Sequence, residues 1–397
     1  MLPAELFLAA LSLFLTGATL YLFFLAAVYF LRRPSDPHAA YAPGRRFAII
    51  VPAYNEAENI TATLRNLKGI DYPPHQYDVV VVADNCTDST VSVARAEEVR
   101  CLERKDSSRR GKGHALAFAF RILMKEKYDC FVVVDADSTV DGNFLRVLNG
   151  RALAGQKVIQ ACVRTANPDA SALTYLFAVG SCIENRLFYE SKTRLGLPVH
   201  LRGNGMCFAR EILRKQPWNA FSVVEDVEYG VKLIRRGVPV HFALETEVRA
   251  RQPETFGQAH AQRIRWASGN AKISRSYALT LLKEGMMKGN CALLDAGISF
   301  FFLSKPLLLL LSLLLTAGAL LYGFSGFPRG SLYAGWSLAL LAAQGVYLSL
   351  GIFLEGLDRR RLFYLLSSPF LLLWFFLISL LGLAGYRRDL WLRTKRI

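Results

Sequence analysis

Charge is scarce in this chain: 20% of its 397 residues are Asp, Glu, Lys or Arg, against 52% hydrophobic, and the mean hydropathy is +0.25. That balance excludes a wholly water-soluble protein and suits one medium-sized domain plus several membrane segments. The seven cysteines (Cys86, Cys101, Cys130, Cys162, Cys182, Cys207, Cys291) form no Cys-x-x-C pair, so no metal and no disulfide is assigned to them; reduced thiols in a cytosolic domain are expected. No Gly-x-Gly-x-x-Gly stands in the first loop, and Arg110-Gly111-Lys112-Gly113-His114 lacks the Walker spacing, which leaves neither a dinucleotide fold nor a P-loop supported. The first apolar run, Leu6 to Leu31, lacks a basic leader and a clear small-residue cleavage site, so it reads as an anchor rather than a cleaved signal peptide. No internal repeat is visible, and the leucines of Leu307–Leu315 are membrane composition rather than low-complexity disorder.

The charge that is present sums to +16. Its basic residues are spread out and lie beside membrane segments, where they meet anionic lipid headgroups, so no nucleic acid partner is expected. The uncharged run Leu6–Leu31, at about 1.5 Å per residue, spans a hydrocarbon core of roughly 30 Å. Arg32, Arg33, Arg45 and Arg46 follow it, and the positive-inside rule then places the next segment in the cytosol. The expectation is an integral membrane protein of a bacterial inner membrane with its catalytic domain cytoplasmic.

From Phe47 to about Lys288, β-branched runs alternate with amphipathic stretches, the pattern of an α/β domain with a largely parallel sheet. Strands are predicted at Phe47–Val51, Asp78–Val82, Cys130–Val134, Val158–Val163 and Pro239–Leu244. Helices are predicted at Asn59–Leu67, Thr90–Val99, His114–Lys127 and Gly142–Leu153, with a long one from about Ala170 to Arg194 whose Tyr175, Phe177, Phe188 and Tyr189 read as core packing. Beyond Lys288, Ala292–Phe324, Leu332–Phe353 and Leu362–Tyr386 are apolar. Pro306 divides the first, so Ala292–Leu303 is expected along the interface before a span Pro306–Tyr322. Three full spans would leave Arg387, Arg388, Arg393, Lys395 and Arg396 outside, against the positive-inside rule; the conflict disappears if Leu362–Tyr386, with its break at Ser367-Ser368-Pro369, re-enters or lies at the interface. The division expected is thus 1–46 anchor and basic linker, 47–290 cytosolic domain and 291–397 membrane region with two or three spans.

In an open parallel sheet, ligands collect outside the carboxyl ends of the strands. Pro52-Ala53-Tyr54-Asn55-Glu56, Asp84 and Asp135-Ala136-Asp137 each fall at or just past the end of a predicted strand and would line one edge. Asp135 and Asp137, two apart, point to one side of an extended strand end, close enough to share a divalent cation, Mg2+ or Mn2+, on diphosphate oxygens; an Asp-rich turn is the plainer account. Asp84 can accept from a nucleobase N–H or cap the helix after Asp88. Lys112 offers a cation for phosphate, or is a solvated lysine. Asp226, after Glu225, opens a helix that runs to Arg236 and stops at Gly237; it either caps that helix or is a rigidly held base facing an acceptor hydroxyl. Gln262, Arg265 and Trp266 share one face of a predicted helix, where an arginine can hold a diphosphate and an indole can stack on a sugar; an amphipathic interface helix is the competing reading.

Together these motifs resemble the membrane-bound, inverting family 2 glycosyltransferases, the group containing cellulose, hyaluronan, chitin-oligosaccharide and poly-N-acetylglucosamine synthases and ceramide glucosyltransferases. The resemblance covers Phe47 to Trp266 and, more loosely, the membrane segments. It rests on Pro-x-Tyr-Asn-Glu, the Asp84 cluster, Asp-x-Asp, Glu225-Asp226 and Gln-x-x-Arg-Trp in this order. It implies a GT-A (Rossmann-like) domain flanked by transmembrane helices. Pro52, Tyr54, Glu56, Asp84, Lys112, Asp135 and Arg265 would bind the nucleotide, Asp137 the metal with help from Asp135, and Asp226 would be the base. Gly203, Asn204, Glu225, Gln262 and Trp266 would meet the acceptor; Gly203-Asn204-Gly205 departs from the family's usual Cys-Gly-Ser/Thr turn, which leaves acceptor identity open. The tail Trp391-Leu392-Arg393-Thr394-Lys395-Arg396 resembles a cytosolic gating segment of the polysaccharide synthases and supports the re-entrant topology. The implied partners are a nucleotide sugar donor, a polysaccharide or lipid acceptor and membrane lipids, with room for export or assembly subunits. Polysaccharide synthesis is the leading expectation, single-sugar transfer to a lipid the alternative, and an inactive membrane scaffold the alternative of another class.

Overall fold

The computed structural model describes residues 2–32, 41–302, 305–325 and 329–385. Eight strands form one sheet: β1 (Phe47–Ala53), β2 (Tyr77–Asp84), β3 (Arg100–Arg104), β4 (Cys130–Val133), β5 (Ser138–Val140), β6 (Val158–Thr165), β7 (Met206–Ala209) and β8 (His241–Ala250). Their spatial order is β3-β2-β1-β4-β7-β6-β8-β5. β1 pairs in parallel with β2 and β4, β2 with β3, and β6 with β8. β7 runs antiparallel between β4 and β6, and β5 antiparallel to β8, so the sheet is mixed around a parallel half. The three strands that sequence periodicity does not mark are short, and β3 (RCLER) is mostly charged, which hides its alternation.

Strands β1, β2 and β4 are buried on both faces, as their near-continuous apolar runs require. Ile50, Val80 and Val133 pack on one side with Leu116 and Phe120, while Ile49, Val81 and Val132 pack on the other with Leu64 and Leu148. Helices Ile60–Lys68, Thr90–Ala96, Lys112–Leu123 and Phe144–Leu153 stand within a few residues of the expected ones. The expected long helix runs from Ala172 to Arg194, begun by a Ser171–Thr174 capping box. Its middle, Ile183–Glu190, is π-helical, an irregularity common at functional sites and invisible to periodicity.

Three helices are long and apolar enough to cross a membrane: Pro3–Leu31, Lys305–Phe324 and Gly330–Glu355. The helix Cys291–Ser299 and the turn Phe300–Phe302 precede the second, matching the division expected near Pro306. A further pair, Arg359–Leu365 and Ser368–Ala384, is bent by 53° at the expected Ser367-Ser368-Pro369 break. Its second arm lies along the 33-residue helix Phe256–Lys288: Trp374 packs on Phe256 at 5.1 Å between ring centroids, and Arg275 donates to the carbonyl of Leu383. Gly382 permits the contact, since a Cβ there would meet Ala267 Cβ at 2.5 Å. Arg33, Arg387, Arg388 and the tail Trp391–Arg396 lie outside the described residues.

Ion pairs tie the sheet domain to the membrane helices. Arg164 of β6 grips Glu355, the last residue of Gly330–Glu355, through both carboxylate oxygens at 2.9 and 2.7 Å. Lys305 Nζ stands 2.7 Å from Glu184 Oε2, and Lys192 Nζ 2.7 Å from Asp295 Oδ2. The Glu355 side chain is only 3% exposed, so its charge depends on Arg164. Arg164→Ala should leave the buried Glu355 carboxylate without its cation and cost about 3–5 kcal/mol; thermal unfolding in detergent, with Glu5→Ala at the exposed Glu5–Arg329 pair as the near-neutral control, checks it.

Candidate functional site

Because β1, β2 and β4 run in parallel, their carboxyl ends open on one rim, and the polar clusters that follow them meet there. The first two loops are laced together. Asn55 Oδ1 accepts from the backbone N–H groups of Thr87 (2.7 Å) and Asp88 (3.3 Å), and Glu56 N–H donates to Thr90 Oγ1 at 2.8 Å. Asn55 and Asn85 hold φ of 56° and 53°, a left-handed conformation that asparagine tolerates better than most residues.

Asp84, 6% exposed, does not cap the following helix; Asp88 Oδ1 instead accepts from Thr90 N–H at 3.0 Å. Asp84 Oδ1 takes a hydrogen bond from Arg104 Nη1 at 2.5 Å, and Arg104 also reaches Asp106 Oδ2 at 2.9 Å. Burial raises the Asp84 pKa while Arg104 pulls the other way. Arg104 was missed by sequence reading, since its only signal is a place at the end of a short charged strand.

Lys112, the first residue of its helix, donates to Asp135 Oδ1 and, at 2.6 Å, to the carbonyl of Gly203. Burial works against its charge, but Asp135, Glu225 and Asp226 outweigh it and hold its pKa above the usual value. The turn Gly203-Asn204-Gly205 is therefore pinned to the strand rim. Asn204 Oδ1 accepts from Asp135 N–H at 3.2 Å, and its Nδ2 donates to Ser138 Oγ at 2.8 Å. Gly203, at φ +76°, is the closest approach: a Cβ there would lie 3.0 Å from Asp226 Oδ2.

Glu225 and Asp226 sit in the first turn of helix Glu225–Arg235, whose Val224 N-cap supplies no side-chain hydrogen bond. Burial, then the neighbouring Asp226, pushes Glu225 up to about 8. Asp226 is raised too, by burial, against the opposing pull of the Val227 backbone N–H and Lys112. Such adjacent buried carboxylates share protons, the usual situation of a tuned acid–base site.

On helix Phe256–Lys288, Gln262 is 6% exposed, and its buried Oε1 has no hydrogen-bond partner among the described residues. Burial lowers the Arg265 pKa, with Glu225 opposing. A single cavity of about 1050 Å³ is lined by Pro52, Tyr54, Glu56 and Asp84, by Lys112, Asp135 and Asp137, by Gly203, Asn204, Glu225 and Asp226, and by Gln262, Arg265 and Trp266. The structure thus brings every residue singled out from the sequence to one chamber. It adds His200 and Arg202, which no motif marks, and Arg263, a position inside Gln262-Arg263-Ile264-Arg265-Trp266 to which no role was given. The helix bearing Gln262 also packs on the bent apolar arm.

A mixed eight-stranded α/β sheet with a carboxylate-rich rim facing the helix Phe256–Lys288 is a fold of the GT-A kind. The chain superposes on the mannosyltransferase PcManGT from Pyrobaculum calidifontis, solved in complex with GDP-Man and Mn2+, with a TM-score of 0.55 at 22% identity, covering 86% of this chain and 99% of that one. Residues 43–269 match the family described as "Glycosyltransferase like family 2", and the chain belongs to that family. It is 27% identical over 248 residues to a beta-monoglucosyldiacylglycerol synthase of Nostoc sp., covering 60% of this chain and 52% of that protein. It is 23% identical over 277 residues to a poly-beta-1,6-N-acetyl-D-glucosamine synthase of Staphylococcus aureus, covering 66% and 63%. The chain thus spans about half to two thirds of the length of these curated relatives.

Gly203→Ala would force a side chain into the left-handed region and against Asp226, at a cost of about 1–2 kcal/mol. Gly142→Ala, where a Cβ meets open space, should be close to neutral; paired thermal unfolding curves separate the two.

Proposed function

We propose that this chain is an inverting, metal-dependent glycosyltransferase that moves a hexosyl group from a nucleotide sugar, a UDP-sugar first and a GDP-sugar second, to a hydroxyl of an acceptor held at a membrane. The observation that carries this reading is the one cavity holding Asp84, Asp135, Asp137 and Asp226 beside Gln262, Arg265 and Trp266. The inactive-scaffold alternative is disfavoured because every carboxylate the chemistry needs lines that cavity.

The donor set suits a hard cation. Asp135 and Asp137 offer oxygen ligands at the rim, and among the described residues no group of three His, Cys, Asp or Glu side chains could enclose an ion by itself. That incomplete set fits Mg2+ or Mn2+, which keep coordination places for diphosphate oxygens, and the bound ion would neutralise charge on the leaving diphosphate. The protein's own part follows from its placement. Asp84 and the Tyr54–Glu56 loop take the nucleotide, and Lys112 and Arg265 hold phosphate charge. The acceptor hydroxyl gives its proton to Asp226 as its oxygen bonds to the anomeric carbon. The bond from that carbon to the diphosphate breaks on the opposite face, its electron pair leaving with the nucleotide, which inverts the centre. Trp266 and the Gly203–Asn204 turn flank the acceptor, and the raised pKa of the carboxylate pair suits a base working near neutrality.

Both acceptor classes occur by name among the relatives, a growing polysaccharide and a diacylglycerol lipid. The tail motif that points to a polymer lies outside the described residues. A specific observation favours the lipid: the cavity runs on from the rim to Leu348 and Ile352 of Gly330–Glu355 and to Leu372 and Phe375 of the bent arm. The arrangement 1–46, 47–290, 291–397, with the domain on the cytoplasmic face of an inner membrane, completes the reading. The second arm of the bent pair supports re-entry, since it follows a helix whose Lys272, Arg275, Lys283, Glu284 and Lys288 keep that helix out of hydrocarbon.

Nucleoside diphosphate release from a panel of sugar nucleotides, with and without Mn2+, tests the enzyme reading; silence across the panel sinks it in favour of the scaffold. Asp226→Asn should lower turnover about 10²–10⁴-fold while nucleotide affinity is retained, and EDTA should abolish turnover reversibly. Because burial raises the Asp226 pKa, its proton is retained to a higher pH than in an ordinary carboxylate, so the acid limb of turnover should lie above the usual carboxylate range. Glu225→Gln should leave that limb nearly in place, since burial rather than Glu225 raises Asp226. Mass analysis of the product separates one defined lipid mass from a ladder of chain lengths.

A further inference from the structure

Besides the carboxylates of the rim, the cavity is lined by Arg202 and Arg263 and by apolar side chains. Arg202 Nη1 donates to Asn185 Oδ1 at 2.7 Å, and its guanidinium lies 5.8 Å over the Tyr189 ring. Arg263 is held between Phe177 at 3.9 Å and Trp266 at 4.8 Å, and its Nη2 donates to Gln252 Oε1 at 2.8 Å. Every one of these partners is neutral, and among the described residues neither arginine has a salt-bridge partner. The Arg263 Nε is buried without a hydrogen bond. Glu184, which feels Arg202 and His200, is engaged by Lys305. His200, 2% exposed, lines the same chamber, and both its ring nitrogens lack a hydrogen-bond partner.

Two arginines lining one chamber, each solvated only by neutral groups, are an uncompensated arrangement. Burial, with Arg202 adding to it, pulls the Arg263 pKa down to about 9. A dianionic group between them would satisfy both, because a planar guanidinium fits phosphate oxygens in pairs. The place is also right for an acceptor: Tyr189, beneath Arg202, feels the charges of both Glu184 and Asp226. On the far side begins the apolar stretch of Leu176, Phe177, Leu348, Ile352 and Phe375.

We propose that Arg202 and Arg263 form the headgroup subsite for a phosphate-bearing membrane lipid, the acceptor, whose hydrocarbon chain runs between the helix Ala172–Cys182 and the membrane helices while His200 hydrogen-bonds the headgroup. This rests on the lipid-acceptor reading above and adds the charge of the lipid. Phosphate is the shared chemistry, and the hydrocarbon lining selects the lipid as its source.

The test uses the full-length protein in a neutral detergent, titrated with dioctanoyl phosphatidate, dioctanoylglycerol and inorganic phosphate, with UDP plus Mn2+ titrated in parallel. Phosphatidate should bind at least tenfold more tightly than either of the other two. Arg202→Gln and Arg263→Gln should each weaken it tenfold or more with UDP affinity and melting temperature held, and Arg202→Lys should weaken it less. Equal binding of the two lipids by the unaltered protein overturns the anionic subsite, a comparison that needs no variant to fold. Inorganic phosphate bound as tightly as phosphatidate overturns the lipid assignment, as does unchanged phosphatidate binding in both glutamine variants. Loss of lipid selectivity with diphosphate release intact sinks this inference alone, whereas selectivity without any release sinks the enzyme reading and leaves the subsite standing.

Discussion

Lys112 is the cation around which the site is assembled. Asp135, Glu225 and Asp226 all act on its charge in a chamber shielded from water, and without a compensating cation their mutual repulsion would drive them apart or protonate them. By donating at once to Asp135 and to the Gly203 carbonyl, Lys112 ties the parallel half of the sheet to the turn that leads into antiparallel β7. The position of Asp226 relative to the strand rim is coupled to that tie, because Gly203, having no Cβ, lets the carboxylate lie close against the turn. A helix start positions Asp226 along one direction; the turn pinned by Lys112 fixes it along another.

The second constraint is the docking of the domain on the membrane helices. Arg164–Glu355, Lys305–Glu184 and Arg361–Asp169 join elements far apart in sequence; the first two use charges that the low-dielectric junction cannot leave unpaired, while Asp169 is half exposed. Docking at these points makes the rim and the hydrocarbon-facing helices walls of one cavity. On the proposed function, a water-soluble donor and a membrane-borne acceptor would meet over Asp226 without either leaving its own medium. The π-helical segment Ile183–Glu190 lies at this junction and contributes Glu184 and Tyr189 to the wall.

Much of the fold was legible. The buried strands announce themselves as β-branched runs, the four helices between them as amphipathic stretches, and the break at Ser367-Ser368-Pro369 as a proline after two serines. The short strands β3, β5 and β7 were not, because pairing to longer neighbours, rather than their own alternation, makes them strands. The motif residues were legible since each stands at a strand end, a helix start or a shared helix face, where side-chain type and spacing mark it. Arg104, Arg202, His200 and Arg263 carry no such signature: an arginine in a sequence reads as surface charge until the fold buries it.

By itself, then, the order of residues determined the chemistry available: carboxylates at strand ends, a lysine opening a helix, a Gln-x-x-Arg-Trp face, and apolar lengths matched to a bilayer. These are local properties, set by side-chain type and by spacings of two, three and four. What only the tertiary structure decided was which of those groups share one chamber, in which direction their pKa values move there, and that apolar side chains and two arginines without a carboxylate partner among the described residues line it as well. Burial and long-range pairing depend on contacts between segments distant in the chain, and no local pattern encodes them.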